Sequence, residues 1–375
     1  MKNRKILYLF DACDWNSRIA VAHGAKVKGL DVVIGLINGG SDAQNKSNDF
    51  KITPIEKKGG NANPFGAVGL IRDINRLIKQ ENPDIIHTVT LKYSFSSAFA
   101  AFPHKNKQKI HTLAGLGYLF RSEETKSKAL RTLLSPFLRI AFLRYKTNLI
   151  FQNQDDLDLL LDKKIATPNN SVLIKGSGVH LNKFNKFSDS RDSDKPIILM
   201  PTRLVHEKGV GIFIEAARIL KQRGINAKFQ IAGGLTDNPK AISKEEMLEM
   251  VKDGAVEWLG KVDDIPERLA EASLIVYPSY YGEGIPRVLL EACAAGRAIV
   301  TTDNAGCREA VDHNENGLLV PVKNPIATAD AIETIITNPK LQQSMEQQSN
   351  KKAQLEFDIN SIVDQTVSVY IDNHI

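Results

Sequence analysis

Residues Ser273–Asp303 read SLIVYPSYYGEGIPRVLLEACAAGRAIVTTD. Leu274–Tyr277 is a short apolar run, stopped by Pro278 and Ser279, and reads as a buried strand. A polar loop follows, Tyr280-Tyr281-Gly282-Glu283-Gly284. Pro286 suits the first position of a helix, where its missing N–H costs nothing. The helix runs through Val288, Leu289, Ala292 and Cys293, and Gly296 ends it. Ala298–Thr301 reads as the next strand. Strand, loop, helix, strand is the unit from which parallel sheets are built, and it sets the expectation of an α/β fold.

Two carboxylates frame this unit. Glu283 stands just before the helix and Glu291 inside it. A helix N-terminus has free N–H groups and attracts anions. Glu283 and Gly284 at that mouth can meet the hydroxyls of a sugar while the N–H groups face a phosphate. The spacing alone fits a solvated loop residue and an exposed helix residue equally well.

The same alternation extends in both directions. Before the unit come Ile197–Met200 (strand), Gly209–Gln222 (helix), Lys228–Ala232 (strand, ended by Gly233-Gly234), Glu245–Lys252 (helix), Val256–Leu259 (strand) and Ile265–Glu271 (helix). After it come a strand at Gly317–Val320, a helix at Ile326–Ile336 and further helices, the last at Ile359–Ile371. In the first half, strands are expected at Lys5–Phe10, Asp31–Leu36, Asp84–His87, Lys109–Thr112, Asn148–Phe151 and Ser171–Lys175. Helices are expected at Ser17–Lys28, closed by Gly29, and at Pro64–Gln80. This pattern describes a doubly wound sheet. Lys186–Pro196, KFSDSRDSDKP, is polar and poor in apolar residues, a natural domain boundary. The expected domains are residues 1–188 and 196–355, with a helix over 356–375.

At 375 residues the chain is long enough for two cores. Its three cysteines, Cys13, Cys293 and Cys307, are widely spaced and form no metal-ligand pattern. They fit a reducing compartment. The opening MKNRKILYLFDACDW holds an apolar run too short for a signal peptide, and no run approaches the length of a membrane span. Charge is divided unevenly. Through Ser188 there are 29 basic and 15 acidic residues, a net of +14; the remainder has 20 and 28, a net of −8. A basic half suits a polyanionic partner, whether nucleic acid, lipid headgroups or a phosphorylated substrate, and it equally suits a solvated basic surface.

The turn after the first strand, Asp11-Ala12-Cys13-Asp14-Trp15-Asn16, lacks G-x-G-x-x-G, which argues against a nicotinamide or flavin dinucleotide site. Ligands in such sheets still bind beyond the carboxyl ends of the strands. Asn16, Arg18, Lys92 and the loop Ala114-Gly115-Leu116-Gly117-Tyr118 fall at those ends, with Arg18 and Lys92 as candidate phosphate contacts. Arg121–Lys146 carries seven basic and two acidic residues among leucine, isoleucine and phenylalanine. It reads either as an amphipathic helix on an anionic bilayer or as a domain helix with its apolar face in the core. Pro136 should bend or divide it. Asp156-Leu157-Asp158 has the D-x-D form of a metal motif, but it follows Asn153 and reads as a capped helix start with acidic first-turn residues. No metal site is expected there.

Pro201–Gly209, PTRLVHEKG, joins the first strand of the second half to its first helix. It would point Arg203 and Lys208 from a strand end and a helix start into a cleft between the domains. Fixed cations and helix N–H groups stabilise a departing diphosphate best where water is excluded.

The run E-G-I-P-x-x-L-L-E-A-x-A-x-G-x-A-I-V-x-T-D from Glu283 to Asp303 closely resembles the donor-site signature of glycosyltransferase family four, retaining enzymes of the GT-B fold. R-L-x-x-x-K-G-V from Arg203 resembles that family's diphosphate motif. The resemblance implies two Rossmann-like doubly wound domains facing a cleft, the final helix crossing back onto the first. It implies a donor site of Arg203, Lys208, Glu283, Gly284, Ile285 and Glu291. Arg203 and Lys208 hold the diphosphate, Glu283 meets the donor sugar and Glu291 the ribose; Glu283, Arg203 and Lys208 are the catalytic group. No metal and no cofactor beyond the nucleoside diphosphate sugar would be needed. Many members place a histidine in a T-x-H-G turn; here the matching turn is Thr112-Leu113-Ala114-Gly115, so no histidine role carries over.

T-x-x-G-L-G-Y-x-F from Thr112 resembles the branch that builds bacterial surface glycans on polyprenyl diphosphate carriers. The expected partners are a UDP-linked sugar, a polyprenyl diphosphate saccharide and an anionic membrane surface, with no nucleic acid. Arg18, Lys92 and Gly115 are the acceptor-side candidates. The expected place is the cytoplasm, peripheral on the inner face of the plasma membrane. The alternatives are a nucleotide-sugar epimerase or hydrolase on the same fold, and a non-catalytic protein that binds a sugar nucleotide or a lipid.

Overall fold

A computed structural model describes residues 4–56, 64–121, 124–144, 146–184, 195–236 and 241–371. Of the expected boundary stretch, all but Lys195 and Pro196 lies outside these residues, as does Glu123. The chain divides into two units, Met1–Ser177 with Asn360–Ile375, and Gly178–Ile359.

The first unit holds seven parallel strands: β1 (Lys5–Asp11), β2 (Asp31–Ile37), β3 (Lys51–Ile55), β4 (Ile85–Val89), β5 (Gln108–Leu113), β6 (Thr147–Phe151) and β7 (Ser171–Leu173). Their order is 3-2-1-4-5-6-7, so the winding reverses between β1 and β4. Strand side chains alternate between faces. Ile6, Tyr8 and Phe10 pack with Val21, Ala22 and Ala25 of the helix Trp15–Val27. Leu7 and Leu9 pack with Ile74, Leu77 and Ile78 of the helix Pro64–Glu81.

Two elements of this unit escape the sequence pattern. β3 contains Pro54, which argues against a strand; it is tolerated because β3 is an edge, where a missing N–H breaks no second ladder. The helix Leu91–Ala100 is rich in serine, yet Ser94, Ser96 and Ser97 are buried. Ser97 pairs with Thr88 Oγ1 at 2.7 Å, so local polarity hides a packed helix. The expected division at Pro136 is not seen: one helix runs unbroken over Thr125–Phe142. In the turn before the proline, Ser135 Oγ donates to the Arg131 carbonyl at 2.7 Å and Thr132 Oγ1 to the Lys128 carbonyl at 3.0 Å. Leu138, Ala141 and Phe142 bury the far side of the proline in the core.

The last helix, Ile359–Ile371, belongs to this unit from Asn360 onward. Ile362, Val367, Val369 and Tyr370 join the β1 core. Its final carbonyls accept from Arg4 Nη1 (to Tyr370, 2.8 Å) and Gln108 Nε2 (to Val369, 2.9 Å), a polar closure of the helix end. The Tyr370 hydroxyl lies 2.7 Å from His87 Nδ1, and His87 Nε2 lies 2.7 Å from Thr112 Oγ1.

The second unit repeats the plan with β8 (Ile197–Pro201), β9 (Lys228–Ala232), β10 (Glu257–Gly260), β11 (Leu274–Tyr277), β12 (Ile299–Thr302) and β13 (Gly317–Val320). All are parallel, in the order 10-9-8-11-12-13, with the winding reversing between β8 and β11. The two sheets confirm a doubly wound α/β architecture. Pro286 is the residue that caps the helix Arg287–Ala294 rather than its first turn, since its ψ of 124° is extended. Gly296 closes that helix at φ +62°, as its position suggests.

One tryptophan lies in each unit, Trp15 and Trp258, so a Trp258→Phe background reports the first unit alone. In that background, Tyr370→Phe strands His87 Nδ1 and is expected to cost about 1–3 kcal/mol. Tyr370→Ala adds a core cavity and is expected to cost about 3–5 kcal/mol in total. Urea denaturation followed by Trp15 fluorescence measures both; no cost for Tyr370→Phe would mean that the hydroxyl carries nothing.

Candidate functional site

Ligands of doubly wound sheets bind beyond the strand ends where the winding reverses. In the second unit that point lies between β8 and β11. The segment after β8 carries Arg203 and Lys208; the segment after β11 carries Glu283. Two hydrogen bonds staple the segments together through one carbonyl: the Glu207 oxygen accepts from Tyr280 N at 3.0 Å and from Ser279 Oγ at 3.2 Å. From below, Thr301 Oγ1 donates to the Tyr277 carbonyl at 2.7 Å and Thr302 Oγ1 to the Ser279 carbonyl.

Lys208 is buried, with 6% of its surface exposed, and its Nζ lies 2.5 Å from Glu283 Oε1. The same oxygen accepts from the Tyr277 hydroxyl at 3.2 Å. Burial, and then the Glu283 charge, push the Tyr277 phenol well above its ordinary pKa, so it stays a donor. The same two causes push the buried Cys307 thiol up to about 12. Lys208 Nζ also sits 5.6 Å and 5.8 Å from the ring centres of Tyr277 and Tyr281, within cation–π range. Arg203 is exposed, and its positive charge reaches Tyr277.

Two glycines fix this geometry. Gly209 has φ +82°, and a Cβ there would meet the Pro278 carbonyl oxygen at 2.2 Å. Gly306 has φ +81°, and its Cβ would meet the Gly284 oxygen at 1.9 Å. Side chains are excluded at both on conformational and steric grounds. Gly284 is thus held by backbone contact. Ile285 is buried in the core of this unit. Glu291 accepts from Arg287 Nε at 2.8 Å, one turn earlier on the same helix. That helix has no side-chain cap, so its first N–H groups are available to an anion. The arrangement can hold a diphosphate between cations and helix N–H groups, with a carboxylate alongside for hydroxyls. Among the described residues, no cluster of three or more His, Cys, Asp or Glu groups could hold a metal ion.

The family model for glycosyl transferases group 1 matches residues 182–352, and that for glycosyl transferase 4-like proteins matches residues 5–153. The chain belongs to this glycosyltransferase family. It is 29% identical over 333 residues to an N,N'-diacetylbacillosaminyl-diphospho-undecaprenol alpha-1,3-N-acetylgalactosaminyltransferase of Campylobacter jejuni, covering 86% of this chain and 85% of that protein. It is 22% identical over 99% of its length to the capsular polysaccharide biosynthesis glycosyltransferase CapM of Staphylococcus aureus, covering 97% of that protein. Among solved structures, a glycosyltransferase of Rickettsia africae superposes with a TM-score of 0.79 at 20% identity, covering 100% of this chain and 99% of that one. HepE of Anabaena, solved with UDP, gives 0.75 at 19% identity, covering 98% and 99%. The glycosyltransferase fold is therefore the GT-B fold.

In the first unit of this glycosyltransferase the acceptor-side candidates lie on three separate segments, two helix starts and one loop. Arg18 is buried at the first turn of the helix Trp15–Val27. Lys92 is exposed, with Nζ 5.3 Å from the Tyr93 ring centre. Gly115 adopts φ +93° in a loop tied down by Leu116 N, which donates to Asp156 Oδ2 at 3.1 Å. Asn153 caps its helix by accepting from Asp156 N at 2.8 Å, so Asp156 serves the loop and the cap as the capping reading holds.

The sequence reading missed Tyr277, which lies inside an apolar run and gives no polar signal. It also missed a cluster at the winding reversal of the first sheet. There Asp11 Oδ2 accepts from Tyr93 Oη at 2.5 Å and Asn38 Nδ2 at 2.7 Å. Burial alone would raise the Asp11 pKa, but these bonds and one from Cys13 N hold it below its ordinary value. Beside it Thr90 has φ +71°, a strained conformation for a β-branched residue.

Removing either partner of the Lys208–Glu283 pair leaves a charge of low exposure without its counter-ion. Lys208→Met and Glu283→Gln are each expected to cost roughly 3 kcal/mol of stability, and the double variant clearly less than their sum. Denaturation read by Trp258 fluorescence in a Trp15→Phe background measures the cycle. Strict additivity would mean the two groups do not interact.

Proposed function

We propose that this glycosyltransferase moves a sugar from a UDP-sugar to a saccharide carried on a polyprenyl diphosphate, with retention at the anomeric carbon, in bacterial surface-glycan assembly. The observation that carries the reading is the Lys208–Glu283 pair at the winding reversal of the second sheet. Lys208 gives one N–H to Glu283, and an ammonium has three. The others, with Arg203 and the N–H groups of the helix Arg287–Ala294, face the charge that develops on the departing diphosphate. Glu283, with Gly284 and Ile285 setting the loop, orients the donor sugar, and Glu291 meets the ribose. The names of the relatives support the substrates: the Campylobacter protein is titled for a diphospho-undecaprenol acceptor, and HepE was solved with UDP-glucose. On the acceptor side we assign Arg18, Lys92 and Gly115.

The test is nucleoside diphosphate release from a panel of nucleotide sugars, with and without a polyprenyl diphosphate saccharide. Release that needs both partners is expected. Lys208→Ala is expected to lower turnover at saturating donor by roughly a hundredfold, the scale for loss of one preorganised charge-stabilising group. Release without acceptor would instead mark an epimerase or hydrolase, and binding without release a non-catalytic protein.

The same reading includes contact with an anionic membrane surface through the helix Thr125–Phe142. One stripe of it is core. A second stripe, Leu130, Leu133, Phe137 and Ile140, is exposed, Leu133 at 64%. Lys126 precedes Leu130 by one turn on the same helix, and Arg144, just past the helix end, stacks on Phe102 at 3.7 Å. Apolar side chains framed by basic ones suit the boundary of an anionic bilayer, each basic group adding about 1 kcal/mol. No helix among the described residues is long and apolar enough to cross a membrane. Leu133→Asp with Ile140→Asp is expected to abolish flotation with phosphatidylglycerol vesicles while leaving the melting temperature near wild type. Undiminished flotation would remove the helix from the contact.

A further inference from the structure

Tyr277 closes β11 and is 4% exposed. Its ring belongs to the apolar cluster that includes Ile275, Ile285, Leu289 and Leu290. Strand pairing sets it beside Thr301 of β12, whose hydroxyl donates to the Tyr277 carbonyl at 2.7 Å. A phenylalanine would serve all of this. The hydroxyl adds a hydrogen bond to Glu283 Oε1 at 3.2 Å. Burial, and then the Glu283 charge, keep the phenol protonated, so toward the carboxylate it acts as a donor.

The same oxygen has a second donor, Lys208 Nζ at 2.5 Å. The two donors respond differently to a ligand. Lys208 ends a flexible stem, and its ammonium is drawn to an anion that reaches it. Tyr277 is a rigid ring in a buried strand, and close packing sets its torsions. A diphosphate that draws Lys208 away therefore leaves Oε1 on the phenol. The Glu283 backbone is anchored as well, since a Cβ on Gly306 would meet the Glu283 carbonyl oxygen at 2.5 Å. With backbone and Oε1 both held, the plane of the carboxylate is set whether Lys208 engages it or a phosphate.

We propose that Tyr277 is a positioning residue for donor recognition. Its hydroxyl holds the Glu283 carboxylate in one orientation while Lys208 turns to the diphosphate, and so decides which hydroxyl geometry of the donor hexose the site accepts. A hydrogen bond to a sugar hydroxyl is directional. A fixed carboxylate tells an axial hydroxyl from an equatorial one, whereas a carboxylate that swings with Lys208 meets both. The proposal rests on the reading of Glu283 as the group that meets the donor sugar.

Calorimetric titration of the full chain tests it, with UDP and with two pairs of C4 epimers as ligands: UDP-glucose with UDP-galactose, and their N-acetylamino counterparts. The chains are wild type, Tyr277→Phe, Glu283→Ala and the double variant. Wild type is expected to separate the members of one pair about tenfold or more. Tyr277→Phe is expected to hold UDP within about twofold of wild type, since bare nucleotide has no hexose to read, while the ratio between the epimers falls about fivefold or more, the scale of one hydrogen bond. A structural role would move UDP and every sugar nucleotide together, or move none, and either result overturns the proposal. Glu283→Ala is expected to lose the same ratio, and Tyr277→Phe added to it to change the ratio no further. A further loss in the double variant would mean that the hydroxyl acts on a group other than Glu283, which also overturns the proposal. A wild-type ratio in Glu283→Ala, or a wild type that separates neither pair, is a different failure: it removes the sugar contact from Glu283, and Tyr277 loses its role with it.

Discussion

The second unit is organised around one buried ion pair. Lys208 could not be buried at the end of β8 without Glu283, and Glu283 is brought to it only because β11 lies next to β8 in the sheet. The pair is therefore a consequence of the 10-9-8-11 strand order, in which chain segments about seventy residues apart emerge side by side. Desolvating two charges is expensive, and such a pair adds little net stability over apolar side chains of the same size. Its retention makes sense in terms of what it prepares. An ammonium already dehydrated, held by one carboxylate and by the faces of two tyrosines, needs little rearrangement to meet a second anion. The supporting bonds all converge on keeping the two loops in register: the Glu207 carbonyl, the Thr301 and Thr302 hydroxyls, and the bare Cα atoms of Gly209 and Gly306.

Much of this was legible in the sequence, and the reasons differ from part to part. Strands of the second unit stand out because most carry a short apolar run closed by a turn signal; Lys228–Ala232, Leu274–Tyr277 and Gly317–Val320 have the ends that the pattern gives. Glu283, Lys208 and Arg203 could be singled out because they lie at strand ends within recognisable motifs. What was hidden depends on tertiary context. β3 holds a proline that only an edge tolerates, and the helix Leu91–Ala100 is polar in composition because its serines pair with the sheet. Tyr277 counts as an apolar strand residue until the fold turns its hydroxyl toward Glu283.

The helix Thr125–Phe142 shows the same limit from the other side. Its composition permits two readings, a core helix or a surface one, and the fold uses both. Leu138, Ala141 and Phe142 face the core, while Leu130, Leu133, Phe137 and Ile140 form a second, exposed apolar stripe. Periodicity averages over the two stripes, so neither stands out. Only packing separates them, burying one stripe and leaving the other exposed.

The two units share one winding plan and differ in how charge is handled at its reversal. In the second, the cation at the strand end has its counter-charge within the chain, so the empty site is electrostatically closed. In the first, Arg18 is buried and its Nε has no hydrogen-bond partner among the described residues. The division of net charge, +14 through Ser188 and −8 beyond it, follows the same line. An anionic group entering the second unit competes with Glu283 for Lys208, which limits its net gain.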